Sequence, residues 1–204
     1  STILSTINKK LTETFGGEFS EVIIGGAALN PEAEEFFKKI GFRFTVGYGM
    51  TECAPLISHS FWHEFKLHSV GKILPTMEAK ILSNDPQNEV GEIIVRGENV
   101  MLGYYKNEEA TRLAIDEDGW LHTGDMGTMD LDGTIYIKGR NKNMLLGPSG
   151  QNIYPEEIEN KLNNMPFVME SLVLQNAENK LVALVVPDYD AMDEAKLTTK
   201  DLEM

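Results

Sequence analysis

Cysteine is almost absent. Cys53 is the only one in 204 residues, so no internal disulfide can form, and the signature of an oxidising compartment is missing. Positive charge is scarce too: 18 Lys and Arg face 32 Asp and Glu, a net charge of -14. That balance argues against a nucleic-acid or anionic-membrane binding face; a small anion would need donors placed for it. Long apolar runs are lacking. The longest, Leu181 to Val186, falls far short of the roughly 20 residues a membrane helix needs, and the amino terminus has no basic-then-apolar signal pattern. A cytoplasmic location is the expectation. Four scattered histidines give no zinc spacing, and neither a Gly-x-Ser-x-Gly elbow nor a Gly-x-x-x-x-Gly-Lys-Ser/Thr loop occurs, which sets aside hydrolase and P-loop chemistry. There is no internal repeat, low-complexity tract or Pro/Ser linker.

What remains is 42% hydrophobic and 25% charged, a globular composition whose length allows one domain and a small or partial second. Ile3, Ile7, Leu11 and Phe15 recur at helical spacing until Gly16-Gly17 stops them. A β-branched strand over residues 21–24 runs into Gly25-Gly26-Ala27-Ala28, where small side chains let another group approach the backbone. Asn30 and Pro31 open a helix that Gly41 ends, and a strand over 42–46 leads into Gly47-Tyr48-Gly49-Met50-Thr51-Glu52. From about Val70 to Arg140 the texture becomes short alternating strands, interrupted by a helical stretch over 107–114. A hairpin is expected across Asp130-Leu131-Asp132-Gly133. A small α+β unit begins near residue 141, with a helix over 156–162, strands over 168–174 and 180–186, and a helix opening at Ala191.

Four clusters carry candidate chemistry. Gly47 to Glu52 follows a strand, where open α/β sheets bind ligands. Its glycines permit close approach, Tyr48 offers a π face, Thr51 a hydroxyl for phosphate, and Glu52 a hard oxygen for Mg²⁺; the plainer reading is a glycine-rich turn. Asp118 to Asp125 places the Asp125 carboxylate after a glycine, able to accept both hydroxyls of a ribose. Within it Asp118-Gly119 reads as a turn, Trp120 as core, and His122 as either a general base or a packed side chain. Lys138 to Lys142 contains Arg140, whose planar fork suits ribose or phosphate oxygens or a surface ion pair. Gly147 to Glu159 is a flexible loop entering a helix with an acidic first turn.

The order and separation of these stretches, with Gly91-Glu92-Ile93-Ile94-Val95-Arg96-Gly97 and Gly103-Tyr104-Tyr105 between them, closely resemble the adenylate-forming (AMP-binding) ligase superfamily of acyl-CoA synthetases, luciferases and peptide-synthetase adenylation domains. The form of Gly147 to Glu159 looks most like bacterial long-chain fatty acid:CoA ligases. The resemblance implies an α/β plus β-rich fold: residues 1–66 as the tail of a large α/β amino-terminal domain, 67–139 as a small distorted β-barrel subdomain, and 141–204 as an incomplete carboxyl-terminal α+β domain. It implies ATP or AMP, Mg²⁺ and CoA as ligands, and a fatty acid as partner substrate. No nucleic acid or transmembrane segment is implied, while peripheral membrane contact of the parent stays open.

By the same resemblance Gly26, Ala27 and Ala28 border the adenine and acyl pockets, and Gly47, Tyr48 and Gly49 pack on the base. Thr51 touches the α-phosphate, Glu52 holds Mg²⁺, Asp125 takes the ribose hydroxyls and Arg140 lies beside the ribose. Lys142 occupies the hinge near 140–142, and Gly150 lies on the loop facing CoA. Ala28 stands where many relatives carry Pro, and Gly139 where many carry Asp. The family's phosphate loop and its carboxyl-terminal catalytic Lys have no counterpart here. The expectation is therefore a middle-to-late piece of an acyl-CoA ligase, inactive by itself, with an exposed apolar stripe at Ile3, Ile7 and Leu11. Two alternatives stand: a noncatalytic nucleotide-binding module, or a ligase for aryl or short-chain acids.

Overall fold

The computed structural model describes residues 2–147 and 149–198. The chain divides into two compact units between Ile137 and Lys138.

In the first unit, helix α1 (Thr2–Thr14) precedes strand β1 (Val22–Ile24), helix α2 (Pro31–Ile40) and strand β2 (Phe44–Val46). β1 and β2 pair in parallel, as a strand–helix–strand crossover requires. α2 is fixed at both ends. The Asn30 side chain accepts from the Glu32 and Ala33 amides, and Gly41, at φ 74°, takes the left-handed cap that closes the helix. An aromatic cluster of Phe37, Phe42, Phe44 and Phe65 packs behind this layer, with ring centroids 5.3–5.4 Å apart. The α1 stripe splits: Leu4, Ile7 and Leu11 pack on that cluster, whereas Ile3 is exposed. The expected open face is thus partly covered: Leu4, Ile7 and Leu11 are half-buried against their own unit, while Ile3 and Phe15 at the two ends of the stripe are exposed.

Glu34 on α2 is buried beneath the turn at His68 and accepts that residue's amide at 2.6 Å. Burial raises its carboxyl above the usual range, against the His68 amide bond and charge, which lower it.

The β-rich part begins with β3 (Tyr48–Gly49), β4 (Leu56–His59) and β5 (Lys72–Ile73), a three-stranded antiparallel sheet. It continues with β6 (Met77–Leu82), β7 (Gly91–Gly97), helix α3 (Glu108–Ala114), β8 (Leu121–Met129) and β9 (Ile135–Arg140). Strands β6 to β9 form a four-stranded sheet in sequence order, and the hairpin turn over 130–133 closes through the Asp130 amide on the Thr134 carbonyl at 2.9 Å. The sheets stay open. Among the described residues no closed barrel forms; a shared core of Ile57, Ile81, Ile93, Val95, Leu121 and Ile135 fills the space between them.

The second unit holds β10 (Leu145–Leu146), β11 (Asn152–Ile153), α4 (Pro155–Leu162), β12 (Val168–Gln175), β13 (Leu181–Pro187) and α5 (Tyr189–Ala195). β12 and β13 form an antiparallel pair, and α4 packs on it through Ser171 and Val173. The terminal helix starts at Tyr189 and stops at Ala195, where Lys196 adopts a left-handed cap; its expected continuation over 199–204 lies outside the described residues. No helix among the described residues is long and apolar enough to cross a membrane.

Two outcomes test this packing. Cys53 is fully buried, and burial, then the neighbouring Glu52 charge, pushes its thiol up to about 11. At pH 8 it should resist a thiol-exchange reagent until denaturant unfolds the first unit; rapid labelling of native protein would contradict this core. Asn30→Ala should cost about 1 kcal/mol by urea titration, with the midpoint lowered and the slope unchanged.

Candidate functional site

The loop after β2 is built by close approach of two backbones. Gly47 donates to the Ile24 carbonyl at 2.9 Å, and a Cβ at Gly25 would lie 3.4 Å from the Gly47 oxygen. The β1 end, with exposed Gly26, Ala27 and Ala28, therefore flanks the start of the Gly47 to Glu52 segment. Gly49 is required sterically, since a side chain there would strike the Pro55 carbonyl, to which the Met50 amide donates at 2.8 Å. Thr51 to Cys53 then form a single tight helical turn that leaves Thr51 exposed and Glu52 half-buried. Asn99 fastens this turn from the far side, its amide donating to the Cys53 and Leu56 carbonyls at 2.6 and 2.8 Å.

Tyr48 points inward and is 8% exposed. Its hydroxyl donates to Asp125 Oδ2 at 2.6 Å, joining residues 77 positions apart. Burial first, and the Asp125 charge second, push its phenol well above the ordinary range, so the Tyr48 hydroxyl stays a donor. Most of the ring belongs to the core, and the hydroxyl is the part that meets Asp125. Nearby, Tyr104 donates to Glu52 Oε1 at 2.8 Å, and the Met101 amide donates to the Glu52 carbonyl at 2.7 Å. The hydrogen bond to Glu52, ahead of burial, raises the Tyr104 phenol. Nothing in the sequence marked Tyr104 as a partner of Glu52 except its place in Gly103-Tyr104-Tyr105.

Asp125 reaches Tyr48 because β8 is irregular. The β7–β8 ladder pairs Glu92 with Met126 but Ile94 with His122, so Ile93 faces the longer stretch Thr123 to Asp125. Gly124 sits in the bulge at φ 71°, a conformation side chains resist, although a Cβ there would meet nothing within 4 Å. His122 is held by carboxylates on both ring nitrogens. Its Nδ1 lies 2.9 Å from Glu92 Oε2 and its Nε2 lies 3.7 Å from Asp116. Trp120 is core, as expected, with Lys80 and Arg96 over its ring at 4.1 and 4.7 Å.

Among the described residues no three His, Cys, Asp or Glu side chains gather as a metal cage. Glu52, a half-exposed carboxylate beside the exposed Thr51 hydroxyl, nonetheless fits Mg²⁺, which is commonly held by one or two carboxylates plus the phosphates of a substrate.

The remaining candidates belong to the second unit. Arg140 is exposed at the end of β9, Lys142 is exposed on the helical turn Asn141–Asn143, and Gly150 adopts φ 82° in the loop before β11. Gly139 has a local reason: a Cβ there would lie 2.6 Å from Glu156 Oε2 and 3.1 Å from Tyr154 Cβ. An aspartate at that place would set a second carboxylate against Glu156.

Comparison with known proteins places this arrangement in context. Residues 2–105 match the family model described as AMP-binding enzyme. The chain is 32% identical to the long-chain-fatty-acid–CoA ligase FadD15 of Mycobacterium bovis over 92% of its own length and 30% of that protein. It is 32% identical to the long-chain-fatty-acid–CoA ligase ACSBG1 of Homo sapiens over 88% of its length and 25% of that protein. Among solved structures it is similar to o-succinylbenzoate CoA synthetase (MenE) of Bacillus subtilis in complex with the acyl-adenylate intermediate, at TM-score 0.75 and 30% identity, covering 96% of this chain and 44% of that one. The same enzyme with ATP and magnesium matches at TM-score 0.74 and 29% identity, over 94% and 44%. The chain thus spans less than a third of the length of these two ligase sequences.

Removing the phenol that caps a buried carboxylate leaves part of its charge without a donor. Tyr48→Phe should lower the stability of the first unit by about 1–3 kcal/mol in chemical denaturation. A change below about 0.5 kcal/mol would mean that water replaces the hydroxyl freely.

Proposed function

We propose, from the premise that this chain belongs to the AMP-binding enzyme family, that it is the middle-to-late part of an ATP-dependent acyl-CoA ligase acting on fatty acids. The overall reaction has two halves. A carboxylate oxygen attacks the α-phosphorus of ATP and pyrophosphate leaves, giving an acyl-adenylate. The thiol sulfur of CoA then attacks the acyl carbonyl, its proton is lost, and AMP leaves.

The residues of this chain take the following parts. The backbone of Gly47 to Gly49, with that of Gly26 to Ala28, receives the base and borders the acyl group; the Tyr48 ring, packed in the core, offers no π face to it. Asp125 accepts from the ribose hydroxyls; a carboxylate has about four lone-pair sites, and Tyr48 uses one of them. Tyr48 holds that carboxylate in a fixed orientation, so little reorganisation is needed when the ribose arrives. Thr51 offers its hydroxyl to the α-phosphate, and Glu52, oriented by Tyr104, holds Mg²⁺. When bound, Mg²⁺ neutralises charge on the phosphates as pyrophosphate departs. In the second unit Arg140 serves the ribose, Lys142 the hinge between the two half-reactions, and Gly150 the CoA side.

The single observation that supports this reading is the 2.6 Å bond between Tyr48 and Asp125, because it unites the two stretches assigned to one nucleotide. The long-chain ligase relatives favour a fatty acid. A second reading, an aryl-acid substrate, is favoured by the likeness to o-succinylbenzoate CoA synthetase.

Exchange of labelled pyrophosphate into ATP, measured on the longer protein carrying this chain, tests both. Long-chain fatty acids should support exchange, and this chain alone should support far less. Exchange with aryl acids alone would favour the second reading. No exchange with any carboxylate, together with tight AMP binding by the chain alone, would make it a nucleotide-binding module instead.

A further inference from the structure

The bulge that aims Asp125 has an unusual source of order. Two of its backbone amides bond to side chains: the Asp125 amide donates to Thr123 Oγ1 at 3.0 Å, and the Gly124 amide donates to Glu92 Oε1 at 3.0 Å. Thr123 in turn donates to the Ile93 carbonyl at 2.7 Å. The other oxygen of Glu92 takes His122 Nδ1 at 2.9 Å. One carboxylate therefore holds residues on either side of Thr123, and its side chain is only 18% exposed.

The energetics favour a dedicated role. A half-buried carboxylate loses hydration, and it recovers that loss through one charge-assisted bond to an amide and one to an imidazole. A glycine at positive φ has many backbone states open to it; Glu92 selects the one that turns Asp125 toward Tyr48. Asp116, 3.7 Å from His122 Nε2, braces the ring from the turn before β8.

We propose that Glu92 is a positioning residue for the nucleotide: with His122 as its brace, it fixes the Gly124 bulge and thereby the carboxylate of Asp125, without touching ligand itself. This rests on the assignment of Asp125 to the ribose. It also gives His122 a part other than proton transfer.

Steady-state kinetics on the longer protein, with Asp125→Asn as a reference, separate the two ideas. Glu92→Ala should raise the KM for ATP about tenfold, with kcat within about twofold and the KM values for acid and CoA unmoved. Glu92→Gln should restore most of the ATP affinity, because an amide oxygen still accepts from Gly124. Hydrogen exchange gives a readout independent of activity: the Gly124 amide should exchange faster in Glu92→Ala than in Glu92→Gln. If the alanine variant does not fold, Glu92→Asp, which keeps the charge but withdraws it by one methylene, should raise the same KM about threefold. An ATP KM raised in Asp125→Asn but unchanged in Glu92→Ala, or in Glu92→Asp where that is the variant used, would overturn the positioning role alone. So would a loss of active enzyme at constant KM, since that is what general destabilisation produces. An unchanged KM in Asp125→Asn would overturn the ribose assignment, and the role of Glu92 with it.

Discussion

A phenol and a carboxylate 77 residues apart share a proton-donor bond of 2.6 Å in the first unit, and the candidate site depends on it. Tyr48 leaves the parallel β1–β2 layer, whereas Asp125 stands on the antiparallel sheet. Neither residue would be buried at low cost alone. An isolated carboxylate that is 7% exposed would carry a large desolvation penalty, and a phenol at 8% would leave its hydroxyl unsatisfied. Together they satisfy each other and set strand β3 against strand β8. Glu52 and Thr51 follow Tyr48 by only a few residues, so that contact also fixes where they stand.

Local signals wrote much of this fold into the chain. The Asn30–Pro31 start and Gly41 stop of α2, the Asp130 to Gly133 turn and the α4 entry at Pro155 are short-range chemistry, legible because capping and turn preferences act within a few residues. The exposure of the α1 stripe was not legible. Periodicity states that Ile7 and Leu11 need a partner but not which one, and the partner here is the chain's own phenylalanine cluster. Likewise, alternating strands predict sheets but not closure, which depends on strand stagger that no local pattern encodes.

The site was legible as a set of residues and much less so as a mechanism of support. Two glycines, a tyrosine and a glutamate at the end of a strand suggest a ligand loop, yet the same residues describe a plain turn. Asp125 as the hydroxyl partner of Tyr48 depends on a bulge, and Glu92 as the residue holding that bulge depends on register across β7 and β8. The first joins side chains 77 positions apart and the second a side chain to a backbone amide 32 positions on, so residue identity alone gives no hint of either. His122 shows the same limit: beside Trp120 and Leu121 it reads as base or packing, and its bond to Glu92 depends on the pairing of β7 with β8.

The proposed function puts one mononucleotide against Tyr48, Glu52 and Asp125. A crystal structure of the longer protein grown with AMP tests it most directly. Ribose oxygens are expected within hydrogen-bond reach of the Asp125 carboxylate, with the α-phosphate beside Thr51 and Glu52. AMP bound well away from these side chains, with the Tyr48–Asp125 pair sealed in the core and making no contact to it, would contradict the claim.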